Sequence, residues 1–447
     1  MPYIHHTDDD RREMFASLGI SSEEELFDRI PEKFRLRSAL AIGEGKSEHE
    51  TLREFESLGD KNRPAGGLVS FLGGGIYDHI VPSVIRHIAG RSEFYTAYTP
   101  YQPEVSQGTL QVIFEYQTAV SRLAGLPVAN ASMYDGATAL AEACVMATKI
   151  TRRRVIVCGE GLNPRYRAVL ETYTAGQGLV LRAVGLTARG DIDASSLKGA
   201  LSGDVAAVVV QTPNYFGVIE CPWEYREMIR ESGALLVASV DPVSLSILKS
   251  PGEYDADICV GEGQSLGNEM NFGGPLLGFM ACKNDYVRHL PGRLVSETKD
   301  VDGKRAYVLT LQTREQHIRR DKATSNICTN QGHVALRTVI YLSLLGETGF
   351  HELGKICHDK AARLAKMISE CPGYSLRFTG PFFREFVVRC PVGADTVAKK
   401  ARDRGILAGI PLAKYFGEAF RYDLLVAVTE KRTDEDFRRL CDSFRAK

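Results

Sequence analysis

The stretch "LLVASVDPVSL", Leu235 to Leu245, joins a nearly uninterrupted apolar run to a carboxylate that follows it directly. A strand without polar alternation is typical of a sheet that is covered on both faces. Similar runs occur before and after it, namely "RVIVC", "LVLRAV", "DVAAVVVQ", "DICVG" and "LLGFMAC". Helical segments such as "NPRYRAVLETYTAG" separate these runs. The pattern predicts an α/β fold with a doubly wound, mostly parallel sheet.

The chain divides into three predicted regions. Residues 1–65 are charged and helical, which indicates an N-terminal helical arm. Residues 66–330 hold the alternating strands and helices of the large α/β domain. Residues 331–447 begin with two helices, "QGHVALRTVIYLSLLG" and "FHELGKICHDKAARLAKMISE", and continue as short strands and helices. This last region predicts linking helices and a small C-terminal α/β domain.

Composition excludes several classes of function. The 447 residues include 55 basic and 56 acidic side chains, so no overall field attracts nucleic acid or an anionic membrane. The 10 cysteines form no CxxC pair and no metal-finger spacing, and most lie within apolar segments. We therefore expect core thiols, no metal site and a reducing compartment. Since no apolar run is long enough for a membrane span or a signal peptide, we expect a cytoplasmic protein.

The loops at the carboxyl ends of the strands hold the candidate binding groups, because open α/β sheets bind ligands at that edge. Gly136, Ala137 and Thr138 open a helix with small residues that let backbone N–H groups approach a phosphate, although plain packing gives the same pattern. Residues 212–214, "TPN", end another buried strand with polar groups. Asp241 ends the strand quoted first, and its alternative role is to cap "PVSLSIL".

Three longer segments carry a family resemblance. They are "FLGGGIYDHIVPSVIRHIAGRSEFYTAYTPYQPEVSQGTLQVIFEYQT", "YDGATALAEA" and "TREQHIRRDKATSNICTNQ". The chain resembles, over essentially its whole length, the N-terminal half of glycine decarboxylase, the P-protein of the glycine cleavage system, which many bacteria encode as a separate subunit 1. The resemblance implies a pyridoxal phosphate transferase fold of fold-type I, similar to aspartate aminotransferase. Asp241 would then correspond to the partner of the cofactor's ring nitrogen.

The stretch Asp255 to Ala281, "DADICVGEGQSLGNEMNFGGPLLGFMA", contains no lysine. In the family's cofactor-bearing half, an Asp-led strand is followed eight positions later by the Schiff-base lysine. Counting from Asp257, that place is taken by Ser265, next to Gln264, and neither side chain is an amine. We interpret Gly136, Ala137, Thr138, Asp241, Gln264 and Ser265 as a relic cofactor site. Lys249 and Lys283 are the alternative amines, although both lie on other elements.

The resemblance implies that the lysine and the pyridoxal phosphate belong to a homologous companion, glycine dehydrogenase subunit 2. The complex, a heterodimer or a heterotetramer built as a dimer of heterodimers, would decarboxylate glycine and transfer the aminomethyl group to the lipoate of lipoylated H-protein. Two alternatives stay open. One is a structural or regulatory subunit that contributes no active-site residue, and the other is an independent pyridoxal enzyme that uses Lys249 or Lys283.

Two segments are candidates for what this chain adds to the companion's site. The first is the tyrosine loop, "EFYTAYTPYQPEVSQG", whose candidate catalytic groups are Tyr95, Tyr98, Tyr101, Gln102, Glu104 and Ser106. Its alternative role is aromatic packing in the subunit interface. The second is "HIRRDKATSNICTNQ", in which Arg319, Arg320 and Lys322 would face acidic H-protein or a phosphate, or would simply be solvated. In the same segment Thr324 and Ser325 would reach the phosphate of the companion's cofactor.

Overall fold

The computed structural model describes residues 6–445, apart from 37, 39, 96, 97, 272 and 324. The chain forms two compact units, divided between Arg63 and Pro64. In the first unit, helices α1 (Asp8–Leu18) and α2 (Glu48–Gly59) begin with capping boxes at Thr7 and Ser47, in which the cap hydroxyl and a carboxylate three residues on satisfy each other's backbone N–H groups.

The second unit contains the large and small domains. Its α-helices are α3 (Ser83–Ala89), α4 (Gln107–Ala124), α5 (Gly136–Thr151), α6 (Pro164–Ala175), α7 (Ala194–Ala200), α8 (Pro222–Ser232), α9 (Gln316–Arg319), α10 (Gly332–Ser369), α11 (Ala394–Asp403), α12 (Ala413–Phe416) and α13 (Asp434–Arg445). Its strands are β1 (Val69–Ser70), β2 (Val128–Ala129), β3 (Val155–Gly159), β4 (Val180–Val184), β5 (Val205–Thr212), β6 (Leu235–Val240), β7 (Ile258–Glu262), β8 (Gly278–Cys282), β9 (Leu294–Lys299), β10 (Arg305–Thr310), β11 (Ser375–Leu376), β12 (Glu385–Arg389), β13 (Ile406–Leu407), β14 (Ile410–Pro411) and β15 (Asp423–Ala427).

The main sheet has the strand order β2-β8-β7-β6-β5-β3-β4 in the described part of the chain. Strands β3 to β7 are parallel, whereas β8 and β2 add an antiparallel edge. Helix α5 packs on one face among the side chains of β3, β5 and β7, while α4 and α8 pack on the other. The predicted doubly wound, mostly parallel sheet is therefore confirmed, and each of the six apolar runs is a strand in it.

Register brings the carboxyl ends of three strands together. Thr212 of β5 lies beside Val240 of β6, which in turn lies beside Gly261 of β7. The residues that follow, among them Asp241 and Glu262, therefore share one edge of the sheet. This is the edge at which open α/β folds bind ligands.

The predicted pair of linking helices lies within α10, whose two helical segments are separated by a break at Gly346. The backbone of Gly346 has φ 60° and ψ −174°, which no helical residue adopts. The C-terminal half of α10 packs with α11 and α13 against the antiparallel sheet β11-β12-β15-β14. This arrangement matches the expected small α/β domain. No helix within the described residues is both long and apolar enough to cross a membrane.

A close contact between backbones holds the small domain beside the large one. Gly217, with φ +83°, lies so near β12 that an added Cβ would be 1.9 Å from the carbonyl oxygen of Glu385. Ile219 N–H donates to Pro381 at 2.8 Å, and Val218 and Phe382 form a β-bridge. The segment before β12 is therefore fixed against the loop that follows β5.

We expect Gly217→Ala to destabilise the protein by on the order of 3 kcal/mol, because it adds a steric clash to the strain of a left-handed backbone. Gly303→Ala is the matched control, since Gly303 has φ +79° and open space around it. The control should cost only about 1–2 kcal/mol. Urea denaturation of both variants measures the difference, and equal losses would contradict the close-contact explanation.

Candidate functional site

A small cavity of about 30 Å³ lies at the carboxyl edge of the sheet. Loops after β5, β6 and β7 line it together with the segment before β12 and a glycine-rich segment after β1; the lining includes Gly74, Gly75, Tyr77, Asn163, Tyr166, Tyr215, Asp241, Glu262, Arg384 and Glu385. Such a volume holds one or two water molecules, whereas pockets for cofactor-sized ligands measure roughly 300 Å³ or more. The cavity lies at the edge where the sequence predicted a site, but this edge is nearly filled.

Arg384 fills the centre of this edge. Its guanidinium Nη2 lies 2.7 Å from Oδ2 of Asp241, and the two side chains are 1% and 11% exposed. Its Cζ lies 3.5 Å from the centroid of the Tyr77 ring, which the cation therefore covers. Burial alone would lower the pKa of Arg384, but the carboxylate of Asp241, with smaller contributions from Tyr77, Cys357 and Glu385, raises the pKa above the ordinary value. Arg384 is a permanent cation at this place.

Behind Arg384 a relay of hydrogen bonds extends into the small domain. Arg384 Nη1 donates to Nε2 of His79, so that Nδ1 of this ring carries the proton. His79 Nδ1 then donates to Glu430 Oε2 at 2.6 Å. Cys357 also lies near Glu430, with its Sγ 3.7 Å from Oε2. These three residues have metal-ligand chemistry, but both histidine nitrogens are already used by protein partners.

The first turn of α5 is occupied in a similar way. Oε2 of Glu262 accepts from the N–H of Gly136 at 2.9 Å, and Oε1 accepts from the N–H groups of Gln264 and Leu277. A Cβ added at Gly136 would lie 2.3 Å from the hydroxyl of Tyr166 and 3.0 Å from Cβ of Glu262. The helix start predicted to hold a phosphate is therefore already occupied by a protein carboxylate.

The other two residues predicted at the helix start, Ala137 and Thr138, have structural roles. Ala137 is buried in α5. Thr138 N–H donates to Oδ1 of Asp135 at 2.8 Å, and Thr138 Oγ1 accepts from the N–H of Asp135 at 3.2 Å. These hydrogen bonds form a capping box at the start of α5. This is a structural role, which is the alternative to phosphate binding.

No lysine lines the cavity among the described residues. Ser265 is buried in the loop after β7, and the amide of Gln264 bonds to the backbone of Tyr77 and Asn268. Lys283 pairs with Asp255 and Asp257 at the opposite, amino end of β7, 2.6 and 2.8 Å from their oxygens.

The other alternative amine, Lys249, is exposed and lies over the ring of Trp223, 5.0 Å from its centroid. With Lys283 at the far end of β7, neither lysine is placed to form a Schiff base at this edge. The residues present therefore do not fit pyridoxal phosphate.

Glu385 is the second carboxyl of the cavity. It accepts from the N–H of Gly74 at 2.7 Å and from the hydroxyl of Tyr77 at 2.7 Å. Burial raises the pKa of Glu385 to about 7, against these two hydrogen bonds. Burial also raises the pKa of Glu262 to about 7, although three N–H groups favour its charged form. Both carboxyl groups therefore titrate near neutral pH.

The described residues of the tyrosine loop do not line this cavity. Some of its candidate side chains are hydrogen-bonded or buried, and others are exposed. Tyr95 donates to the carbonyl of Gly90 at 2.6 Å, and Ser106 is buried where α4 begins. Gln102 and Glu104 are exposed, and Tyr98 is 93% exposed. The side chain of Tyr98 therefore does not pack in the core of this chain.

Tyr101 belongs to a polar cluster that the sequence did not indicate. Arg293, which is 3% exposed, donates from Nη2 to the Tyr101 hydroxyl at 3.3 Å and from Nη1 to Asn330 at 3.1 Å. The ring of His317 lies edge-on to Tyr101, with centroids 5.8 Å apart. Nε of Arg293 and Oε1 of Glu315 have no hydrogen-bond partner in the described structure.

The second candidate segment surrounds a groove of about 590 Å³. Its charged lining residues are Lys149, Arg288, Arg314, Arg319, Asp321 and Lys322, and His289 also lines it. Arg320 is exposed nearby with φ 54°. Ser325 Oγ accepts from Ile327 N–H, whereas Thr324 lies outside the described residues. The cationic excess favours an anionic partner.

Sequence patterns indicated Asp241 but missed Arg384, Glu262 and Arg293. The available signals were charged residues inside apolar strands, Glu262 in "DICVGEG" and Arg384 in "PFFREFVVRC". A charge in such a place needs a partner. The partners lie far away in the chain, so the local pattern did not identify them.

Comparisons with known proteins agree on one family. A family model described as "Glycine cleavage system P-protein" matches residues 1–444. A relative from Chlorobium limicola, named probable glycine dehydrogenase (decarboxylating) subunit 1, is 52% identical over 435 residues and covers 97% of each chain. One of the same name from Moorella thermoacetica is 49% identical over 100% of this chain and 99% of its own.

Solved structures give the same result. A crystal structure of glycine decarboxylase (P-protein) of the glycine cleavage system, in inhibitor-bound form, matches with a TM-score of 0.90 and 44% identity, covering 100% of this chain and 99% of that chain. The glutamate decarboxylase of Lactobacillus brevis matches with a TM-score of 0.68 at 11% identity, over 94% of this chain and 96% of its own. The second match concerns the fold alone, which is the expected fold-type I architecture.

We predict a pH-dependent effect for Glu385→Gln. Between about pH 4.3, where a carboxyl titrates in an unfolded chain, and pH 7, the folded protein binds a proton that the unfolded chain does not. Stability from this group therefore falls as pH rises through that window, by about 3 kcal/mol. Glutamine resembles the protonated acid and stays uncharged as pH rises, so the Glu385→Gln variant does not lose this stability.

The measurement is urea unfolding of both proteins from pH 5 to pH 8. The free energy of unfolding of the variant should increase relative to that of the wild type as pH rises. Glu418→Gln, at an exposed position, should give a constant difference. A constant difference for Glu385→Gln as well would contradict the raised pKa.

Proposed function

This chain belongs to the glycine cleavage system P-protein family, and on that premise we propose that it is the lysine-free subunit of a two-subunit glycine dehydrogenase (decarboxylating). The observation that carries the proposal is the Arg384–Asp241 ion pair at the sheet edge where a cofactor would lie. Relatives of nearly equal length bear the name subunit 1, which supports a companion chain.

The complex uses pyridoxal phosphate, and we place this cofactor on the companion, glycine dehydrogenase subunit 2. There it would supply the electron sink for loss of carbon dioxide from glycine. The aminomethyl group then passes to the lipoyl arm of H-protein. We infer a pairing of homologous chains, as a heterodimer or a heterotetramer, in the cytoplasm.

We propose that this chain supplies side chains to the companion's site through the tyrosine loop. Three observations support this role: Tyr98 is nearly fully exposed, Glu104 is exposed, and Tyr101 is oriented by the buried Arg293. Polar groups held on a buried cation are oriented before a substrate arrives, as positioning requires. A purely structural subunit would need none of this.

The groove around Arg319 and Lys322 is our candidate surface for the acidic H-protein. Lysine and arginine side chains outnumber the one acidic side chain of its lining, Asp321, which supports attraction of an anionic partner. A contact between Thr324 or Ser325 and the companion's cofactor phosphate belongs to the same proposal.

An omission assay tests the two-subunit proposal. We expect the chain to copurify with its companion, and glycine-dependent exchange of labelled carbon dioxide to require both chains. Activity of the companion alone, at the level of the complex, would contradict the proposal. Activity of this chain alone would instead indicate an independent enzyme.

Substitutions in the tyrosine loop test the contribution of side chains. If the Tyr101 hydroxyl acts on a developing charge, Tyr101→Phe should leave assembly intact and lower turnover per complex by roughly 2.7–4 kcal/mol in the barrier. Tyr422→Phe, in the small domain, is the control and should keep full activity. Gel filtration at matched concentrations measures assembly.

The interface alternative predicts the opposite pattern. Tyr101→Ala would then weaken assembly by on the order of 2 kcal/mol while Tyr101→Phe kept its activity. Full activity in Tyr98→Phe, Tyr101→Phe and Glu104→Gln alike would leave this chain as a scaffold.

A further inference from the structure

We propose that Arg384 and Glu262 take the places of the cofactor's two charged ends, so that the cradle is permanently closed by the protein's own side chains. The inference goes beyond the absence of a lysine, because a chain without the lysine could still bind the cofactor without a covalent bond. It concerns this chain only and does not require the two-subunit activity.

The first end is the one expected to hold the ring nitrogen. A ring cation would meet Asp241, and Arg384 already meets it with a full charge at 2.7 Å. The flat guanidinium lies on the Tyr77 ring as a second planar group would, with Cζ 3.5 Å from the ring centroid. Both side chains are buried, so an incoming ring would have to displace the cation from its carboxylate.

The second end is the helix start expected to hold the phosphate. A phosphate would accept from backbone N–H groups there. Glu262 accepts from the N–H of Gly136 at this helix start, at 2.9 Å, and from the N–H groups of Gln264 and Leu277 in the neighbouring loops, at 3.0 and 2.9 Å. Its carboxyl oxygens are acceptors where the phosphate oxygens would be, and the Tyr166 hydroxyl occupies the remaining space beside Gly136.

A third observation connects the two ends. The space left between them is about 30 Å³, lined by both Glu262 and Arg384. An empty relic site would retain a cofactor-sized hollow, which costs stability through lost contacts. Here the guanidinium of Arg384 and the carboxyl group of Glu262 fill the hollow, and they contact Asp241 and the backbone N–H groups that a cofactor would have contacted. The fold therefore does not need a ligand to complete this edge.

The phosphate end can be tested by chemical rescue. Glu262→Ala leaves three buried N–H groups without an acceptor. Inorganic phosphate should raise the melting temperature of this variant more than that of the wild type. Glu220→Ala is the control, because Glu220 is also a buried carboxyl that accepts from a backbone N–H, that of Ile192, but it does not line the cavity. Phosphate should raise the melting temperature of Glu220→Ala no more than that of the wild type.

Both ends together are tested with the variant Asp241→Asn/Glu262→Ala/Arg384→Ala of the full chain. Replacing Asp241 and Arg384 together leaves neither of these two charges buried without its partner. The probe is pyridoxine phosphate, which lacks the aldehyde and so cannot label surface lysines. Equilibrium dialysis should show binding at least about tenfold tighter than to the wild type. Pyridoxine without the phosphate should bind more weakly than pyridoxine phosphate.

Three results would overturn the proposal. One is a wild type that binds pyridoxine phosphate as tightly as the triple variant, because the cradle would then be open. Another is a folded triple variant, checked by circular dichroism, with no gain in binding. The third is rescue of Glu262→Ala by phosphate that does not exceed its effect on Glu220→Ala, and this result decides the question even where the triple variant does not fold.

Discussion

The ion pair between Arg384 and Asp241 is the interaction on which the rest of the site depends. It joins the small domain, at the start of β12, to the carboxyl end of β6 in the large domain. Both side chains are largely buried, so each charge depends on the other as its counterion. Removal of one partner of such a pair typically lowers the free energy of unfolding by about 3–5 kcal/mol. The stacking on Tyr77 and the relay through His79 to Glu430 all depend on where this guanidinium lies.

The ion pair also determines what chemistry this chain can do. Its cation, together with the carboxylate of Glu262, leaves the sheet edge closed and nearly full. The polar groups that stay accessible lie elsewhere, in the tyrosine loop and in the cationic groove. A homologous pair of chains can divide its work in this way, with the cofactor in one chain and positioning groups in the other. The name subunit 1, which relatives of nearly equal length bear, implies a companion chain.

The sequence predicted the large domain well, because strands buried on both faces appear in the sequence as local runs of apolar residues. Asp241 and Ser265 were placed correctly in the loops, since counting along a strand needs no long-range information. Arg384 and Glu262 were missed because their partners come from distant segments, and a local pattern shows a buried charge without its counterion. Similarly, Tyr98 and Tyr101 look alike in the loop sequence, yet only Tyr101 is held by Arg293.

We propose that the assembled enzyme carries its cofactor on the companion and not on this chain. Reduction of the active complex with borohydride, followed by mass spectrometry of both chains, tests it most directly. We predict a pyridoxyl label on one lysine of the companion and on no lysine of this chain, with Lys249 and Lys283 unmodified. A stoichiometric label on any lysine of this chain would contradict the assignment of the cofactor to the companion.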